Sequence, residues 1–102
     1  MPKKHDAILI NEKDNVAVAI RELVAGEQAV VRGESTVTEI PVIQPIPFGH
    51  KFALKDIETG TKVLKYGAVI GKAIKDIKQG EHVHDHNIEG LRGKINGGKE
   101  GQ

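Results

Sequence analysis

The chain has 102 residues, with 15 Lys and Arg against 14 Asp and Glu for a formal charge of +1. Its charges are interspersed with no basic patch interleaved with aromatics, which argues against nucleic-acid binding, and the absence of cysteine excludes disulfides and thiolate metal sites. A single small domain is expected, and because only 3% of residues are aromatic its core must come from Ile, Val, Leu and Ala, which favours β packing.

The first residues, Met1-Pro2-Lys3-Lys4-His5-Asp6, lead into apolar stretches too short for a signal peptide or a membrane span. A cytoplasmic protein with no membrane contact is therefore expected. Ala7 to Ile10 reads as a first strand, Asn11 to Asn15 as a polar turn, and Val16 to Ile20 as a second strand. Ala29 to Val31 and Thr36 to Val42 read as extended. Pro41, Pro45 and Pro47 then exclude a helix or a central strand, and the stretch around Ile46 is expected to be a rigid connection. Phe52 to Leu54, Lys62 to Leu64, Val69 to Ala73 and Glu81 to His86 complete the strands. Regularly spaced short strands with frequent turns define an all-β domain. Residues 1–90 form this domain; residues 91–102, rich in Gly and charge, read as a flexible tail or linker.

One unit recurs three times: an apolar strand runs into a basic–acidic step, one apolar residue and a glycine. The copies end in Arg21-Glu22-Leu23-Val24-Ala25-Gly26, Lys55-Asp56-Ile57-Glu58-Thr59-Gly60 and Lys75-Asp76-Ile77-Lys78-Gln79-Gly80. Each is expected to hold a single helical turn capped by its own carboxylate, with the apolar residue facing inward and the glycine taking left-handed backbone. A unit this short buries no face alone, so the copies must pack on one another.

The third copy runs into Glu81-His82-Val83-His84-Asp85-His86-Asn87. On an extended strand His82, His84 and His86 would form a row of imidazoles about 7 Å apart. Such a row offers neutral nitrogens to a divalent metal, with His84 and His86 as the candidate ligands, or donors to an anionic substrate. The plain alternative is a solvated polar strand face. Gly49-His50-Lys51 places two more donors beside a glycine; it suits a carboxylate-bearing ligand, and equally the tight turn that starts a strand. Lys65-Tyr66-Gly67 reads as a hairpin-like turn; its phenol beside a lysine suits acid–base chemistry, and the structural reading, a tyrosine covering the edge of the core with its hydroxyl in water, is favoured. Phosphate loops, nucleophile elbows, paired-carboxylate signatures and HExxH elements are not found.

From Asp14 to Asn87 the chain resembles the SAF domain, of β-clip fold, found in the altronate and galactarate dehydratase family. The residues that carry the resemblance are Asp14-Asn15-Val16-Ala17-Val18-Ala19, Gly49-His50-Lys51-Phe52-Ala53-Leu54, Lys65-Tyr66-Gly67 with Ile70-Gly71, and Gly80-Glu81-His82-Val83-His84 closed by His86-Asn87. The resemblance implies a small β-clip domain of short strands with single-turn helices. It also implies a small subunit or N-terminal domain of a sugar-acid hydro-lyase, with the divalent metal, Fe2+ or Mn2+, held by a large catalytic partner. The α subunit of a (2R)-sulfolactate sulfo-lyase is similar, and a non-catalytic module that binds a sugar acid or a partner is the alternative from another class. Under the resemblance His50, Lys51, His82, His84 and His86 are the expected substrate-binding residues. No catalytic residue is assigned, and self-association into a homo-oligomer is a further expectation.

Overall fold

The structure is a computed structural model and describes residues 5–90. Nine strands are present among the described residues: β1 (Ala7–Ile8), β2 (Val16–Ala19), β3 (Gln28–Arg32), β4 (Val37–Pro41), β5 (Lys51–Ala53), β6 (Lys62–Lys65), β7 (Ala68–Ala73), β8 (His82–Val83) and β9 (Ile88–Gly90). They form a six-stranded sheet in the order β4-β3-β1-β2-β5-β8 and a three-stranded sheet β6-β7-β9. Only the β1–β3 pair is parallel. The all-β reading holds. Pro41 ends β4, the edge strand, where its missing N–H breaks no ladder.

Two apolar clusters fill the interior. One gathers Leu23, Val31, Val42, Ile46 and Phe52; the other gathers Val16, Ile57, Val63, Ile77 and Val83. Strand β2 serves both, because its pleat sends Ala17 and Ala19 to the first and Val16 to the second. Aliphatic side chains dominate both clusters, as the composition requires, and Phe52 is the single ring in them.

The repeated unit explains how the clusters close, with two corrections. First, no helix occurs among the described residues. Each copy is instead a bridge followed by a β-turn, and the turns close by N–H to C=O bonds from Glu27 to Val24, Thr61 to Glu58 and Glu81 to Lys78. With glycine third in each turn at φ of +99°, +89° and +84°, this is type II geometry, which one turn and no helix satisfies. Second, the proline segment is not a connector. Gln44-Pro45-Ile46-Pro47-Phe48-Gly49 is a fourth copy: Gly49 has φ of +84°, and His50 N–H closes the turn on Pro47.

The four copies pair reciprocally. Leu23 and Ile46 exchange both backbone hydrogen bonds, each 2.9 Å, and Ile57 and Ile77 do the same at 2.7 and 2.8 Å. Around each exchange the turn glycines also swap: Gly26 N–H donates to Val42 and Gly49 N–H to Ala19, while Gly60 N–H donates to Ala73 and Gly80 N–H to Ala53. Each pair therefore has a local twofold character, with its apolar residue sealed at the centre.

Carboxylates complete the arrangement across the pair rather than within a copy. Asp56 accepts from Gln79 N–H at 2.9 Å, and Asp76 accepts from the N–H and the hydroxyl of Thr59 at 2.9 and 2.8 Å. The two Thr59 bonds, the backbone one foremost, hold the Asp76 carboxyl below its usual range. The expected self-capping fails because the antiparallel exchange sets each aspartate beside the other copy's turn. At the first copy Glu27 closes its own turn through Val24 N–H and pairs with Arg21 at 2.7 Å.

Between β6 and β7 the Lys65-Tyr66-Gly67 turn is a two-residue hairpin loop with φ of +59° at Tyr66 and +76° at Gly67, the signature of type I′. Buried Asp14 clamps it, one carboxylate oxygen taking Tyr66 N–H and the other Gly67 N–H, both at 2.8 Å. Asn15 beside it spans β6, accepting from Leu64 N–H and donating to Lys62 carbonyl. The Tyr66 ring is exposed, with Lys65 Nζ 4.8 Å above its centre, and it joins neither apolar cluster, so the expected cover for the core edge is not what it provides. The expected flexible tail, residues 91–102, lies outside the described residues.

Candidate functional site: a histidine rim on the β5–β8 edge

Strands β5 and β8 pair antiparallel with Lys51 opposite Val83 and Phe52 opposite His82. One step outward along the same register, His50 faces His84. Residues directly opposite in an antiparallel pair share a face, and so do residues two apart on one strand. His50, His82 and His84 therefore converge on one face, although 32 residues separate His50 from His82 along the chain.

The rings are close. Centroids lie 4.7 Å apart for His50 and His84, 5.1 Å for His50 and His82, and 5.6 Å for His82 and His84. His50 Nδ1 sits 2.9 Å from His82 Nε2, so one ring donates a proton to the other. One coordinating nitrogen from each of the three residues lies within 4.8 Å of the others. His86 flanks the group with its ring 5.4 Å from that of His82.

Strand β8 covers only His82 and Val83, so the expected strand from Glu81 to His86 and its 7 Å row are corrected here. The cause is Asn87, fully buried, which offers the backbone another set of partners. Its side-chain oxygen accepts from His84 N–H at 2.9 Å and its amide donates to His82 carbonyl at 2.8 Å. His84 carbonyl accepts from the N–H groups of Asn87 and Ile88 at 3.0 and 3.1 Å, curling the chain into a turn. Gln44, from the fourth copy, accepts from His82 N–H at 3.0 Å. Asn87 and Gln44 thus fix the backbone of the rim, and neither was singled out from the sequence for this purpose. The signal for Asn87 was its place three residues after His84 in a short polar run, a turn pattern.

Lys51 does not join the rings. The pleat sends it to the opposite face from His50 and His82, with Val83. Burial first, then the charge of Lys65, holds its ammonium below the usual lysine range, with Asp85 opposing. Of the pair His84 and His86, expected as metal ligands, the structure groups His84 with His50 and His82 and leaves His86 beside them.

Burial pushes the His82 imidazole down to about 4, reinforced by His50, then His86, His84 and Lys51. His82 is therefore uncharged at neutral pH, with Nε2 engaged by His50 and Nδ1 as its other ring nitrogen. The rim offers hydrogen-bonding and metal-ligating nitrogens in a half-buried setting, but no carboxylate base and no nucleophile stands among them.

Residues 5–91 match the family described as the altronate/galactarate dehydratase SAF domain. The chain is 49% identical over 80 residues to the altronate dehydratase of Escherichia coli K12, covering 78% of this chain and 15% of that protein. It is 34% identical over 90 residues to the (2R)-sulfolactate sulfo-lyase subunit alpha of Chromohalobacter salexigens, covering 85% of this chain and 96% of that subunit. Against the galactarate dehydratase (L-threo-forming) of Escherichia coli K12 it is 31% identical over 81 residues, 14% of that protein. The dehydratases are thus several times longer than the region they share with this chain. Among the described residues no helix is long and apolar enough to cross a membrane. A β-clip built of paired glycine turns, a histidine rim on its edge and a family match spanning every described residue agree: the chain belongs to the altronate/galactarate dehydratase SAF domain family.

Proposed function

We propose that this module serves a sugar-acid hydro-lyase of the altronate and galactarate dehydratase type, presenting its histidine rim to an active site completed by a large catalytic partner, in the cytoplasm. The observation that carries this reading is the convergence of His50, His82 and His84 on one half-buried face in a chain of that family. Dehydration of a sugar acid removes the proton beside the carboxylate and expels the β-hydroxyl. The carbanion so formed needs electrophilic stabilisation, which a divalent metal, Fe2+ or Mn2+, supplies when bound by the partner.

The rim's own contribution is binding and orientation. His82, uncharged at neutral pH, meets His50 through Nε2 and keeps Nδ1 for a hydroxyl of a polyhydroxy chain. His84 and His86 extend that wall, while Lys51, on the opposite face of the strand, contributes only positive charge at a distance. None of these groups is assigned as the sole catalyst.

A second reading is favoured by the 34% identity along 96% of a sulfo-lyase α subunit. In that case the leaving group is sulfite, and the same rim meets a sulfonated acid. The test is reconstitution. The chain is co-expressed with a dehydratase-type large subunit, and altronate, galactarate and sulfolactate are assayed with the chain alone, the partner alone and both. Turnover of altronate or galactarate only in the mixture supports the hydro-lyase reading; turnover of sulfolactate only selects the second. Activity of the chain alone, or no complex while the chain still binds a sugar acid, overturns both in favour of an independent enzyme or a binding module.

A further inference from the structure

The rim has a geometric property that a hydrogen bond between His50 and His82 leaves unexplained: a third imidazole, His84, approaches both. For a tetrahedral ion with metal–nitrogen bonds of ~2.0–2.1 Å, each ring centre lies ~3.2 Å from the ion, and three such centres stand ~5.2 Å from one another. The observed separations are 4.7, 5.1 and 5.6 Å. Nitrogens of neighbouring ligands on one such ion lie ~3.3 Å apart, and ~2.9 Å apart in an octahedral shell. The His50 Nδ1 to His82 Nε2 separation is 2.9 Å.

We propose that His50, His82 and His84 together hold one divalent transition-metal ion of the zinc, cobalt or nickel class on the β5–β8 edge of this module. Three neutral imidazoles suit these borderline ions and not magnesium or calcium, which require oxygen ligands. The widest nitrogen separation, at most 4.8 Å, closes by rotation about the terminal histidine torsion, which is broad and soft. The backbone needs no movement, because Asn87 and Gln44 already fix His82 and His84. Three ligands on one face leave the ion's outward positions open, the arrangement of a site that meets a substrate and not of a closed structural site. His86 lies outside the ligand set, beside His82.

Binding of the ion belongs to this chain alone and stands whether or not the lyase reading holds. What rests on that reading is the use of the open positions, which would take the carboxylate and hydroxyl oxygens of the acid.

The test uses the untagged full chain, stripped with a chelator and titrated with cobalt(II) alone, followed by visible absorption and by NMR of the histidine ring protons. The expected result is one cobalt per chain, with d–d bands of tetrahedral intensity and perturbation of the His50, His82 and His84 rings well beyond that of His5. His84→Ala and His50→Ala, each checked for an unchanged circular dichroism spectrum, should weaken binding beyond the ~10–100-fold that loss of an outer-shell partner costs. His86→Ala and His5→Ala should leave it unchanged. Absence of saturable binding, or binding that survives both His50→Ala and His84→Ala, overturns the proposal. So does binding abolished by His86→Ala.

Discussion

Gly80 separates two reasons for glycine that the other turns leave combined. At Gly60, with φ of +89°, a Cβ would meet nothing within 4 Å, so Gly60→Ala pays only for left-handed backbone, ~1–2 kcal/mol. At Gly80, with φ of +84°, the added carbon would be driven into the carbonyl oxygen of Pro41 and would lie 2.9 Å from that carbonyl's carbon and 3.3 Å from Cα of Val42. These atoms belong to the end of β4 and the residue after it, and Gly80 carbonyl accepts Ile43 N–H there at 3.1 Å. Relief requires moving backbone, so an overpacking cost of ~1–3 kcal/mol adds to the strain. Gly80→Ala should thus cost ~2–5 kcal/mol in all. In a domain of this size each kcal/mol moves the melting temperature by ~4–8 °C. Urea and thermal melts followed by far-ultraviolet circular dichroism should place Gly80→Ala clearly below Gly60→Ala, and Gly60→Ala below the parent, with a similar urea slope where both transitions are measurable. Coincident melts for the two variants would refute the argument that the third turn packs against the end of β4.

Other predictions follow from the rim and its supports. Because the His82 imidazole titrates at about 4 in the folded state against an ordinary value of 6.5, the unfolded chain takes up its proton first. The contribution of this group to stability is complete above pH 6.5 and is lost as pH falls towards 4. A melting temperature that declines across this window, with a shallower decline in His82→Gln, is expected; equal slopes would count against it. Asn87→Ala strands His82 carbonyl and His84 N–H in a buried setting and should destabilise by ~1–3 kcal/mol, measured by chemical denaturation. Asp14→Ala removes both acceptors from the type I′ turn and should cost ~2–4 kcal/mol, with early amide exchange at Tyr66 and Gly67 as its local readout.

Much of the fold was legible because the glycine unit carries its own geometry. The spacing of an apolar residue and a glycine three positions later predicts a turn at Gly26, Gly60 and Gly80, and the structure has one at each. The fourth copy shares this spacing at Ile46 and Gly49, yet its prolines replace the basic–acidic step and read as a stiff connector. Proline is compatible there because the Pro45 and Pro47 nitrogens are not called on: the bridge uses Ile46 N–H and the turn uses His50 N–H. Pairing of copies was not legible, since it depends on which turns meet across the sheet. That is also why the carboxylates were assigned to their own turns.

The histidine site was half legible. His82, His84 and His86 announce themselves by alternation, but the partner that completes the cluster, His50, comes from the register of β5 on β8. Extended alternation would have placed His86 in line; Asn87 diverts the backbone first, and His50 takes the third position. Lys51, adjacent in sequence to His50, points the other way for the same reason of pleat.

The rim's proposed work is in the reaction of an assembled lyase. The direct measurement is kcat and KM for the sugar acid with the chain and its large partner reconstituted, comparing the parent with His84→Gln at equal concentrations of assembled complex. His84→Gln is expected to assemble and melt like the parent while kcat/KM falls by at least ~10-fold, the loss of about 1.4 kcal/mol of transition-state interaction. Unchanged kcat/KM in a fully assembled variant would contradict it.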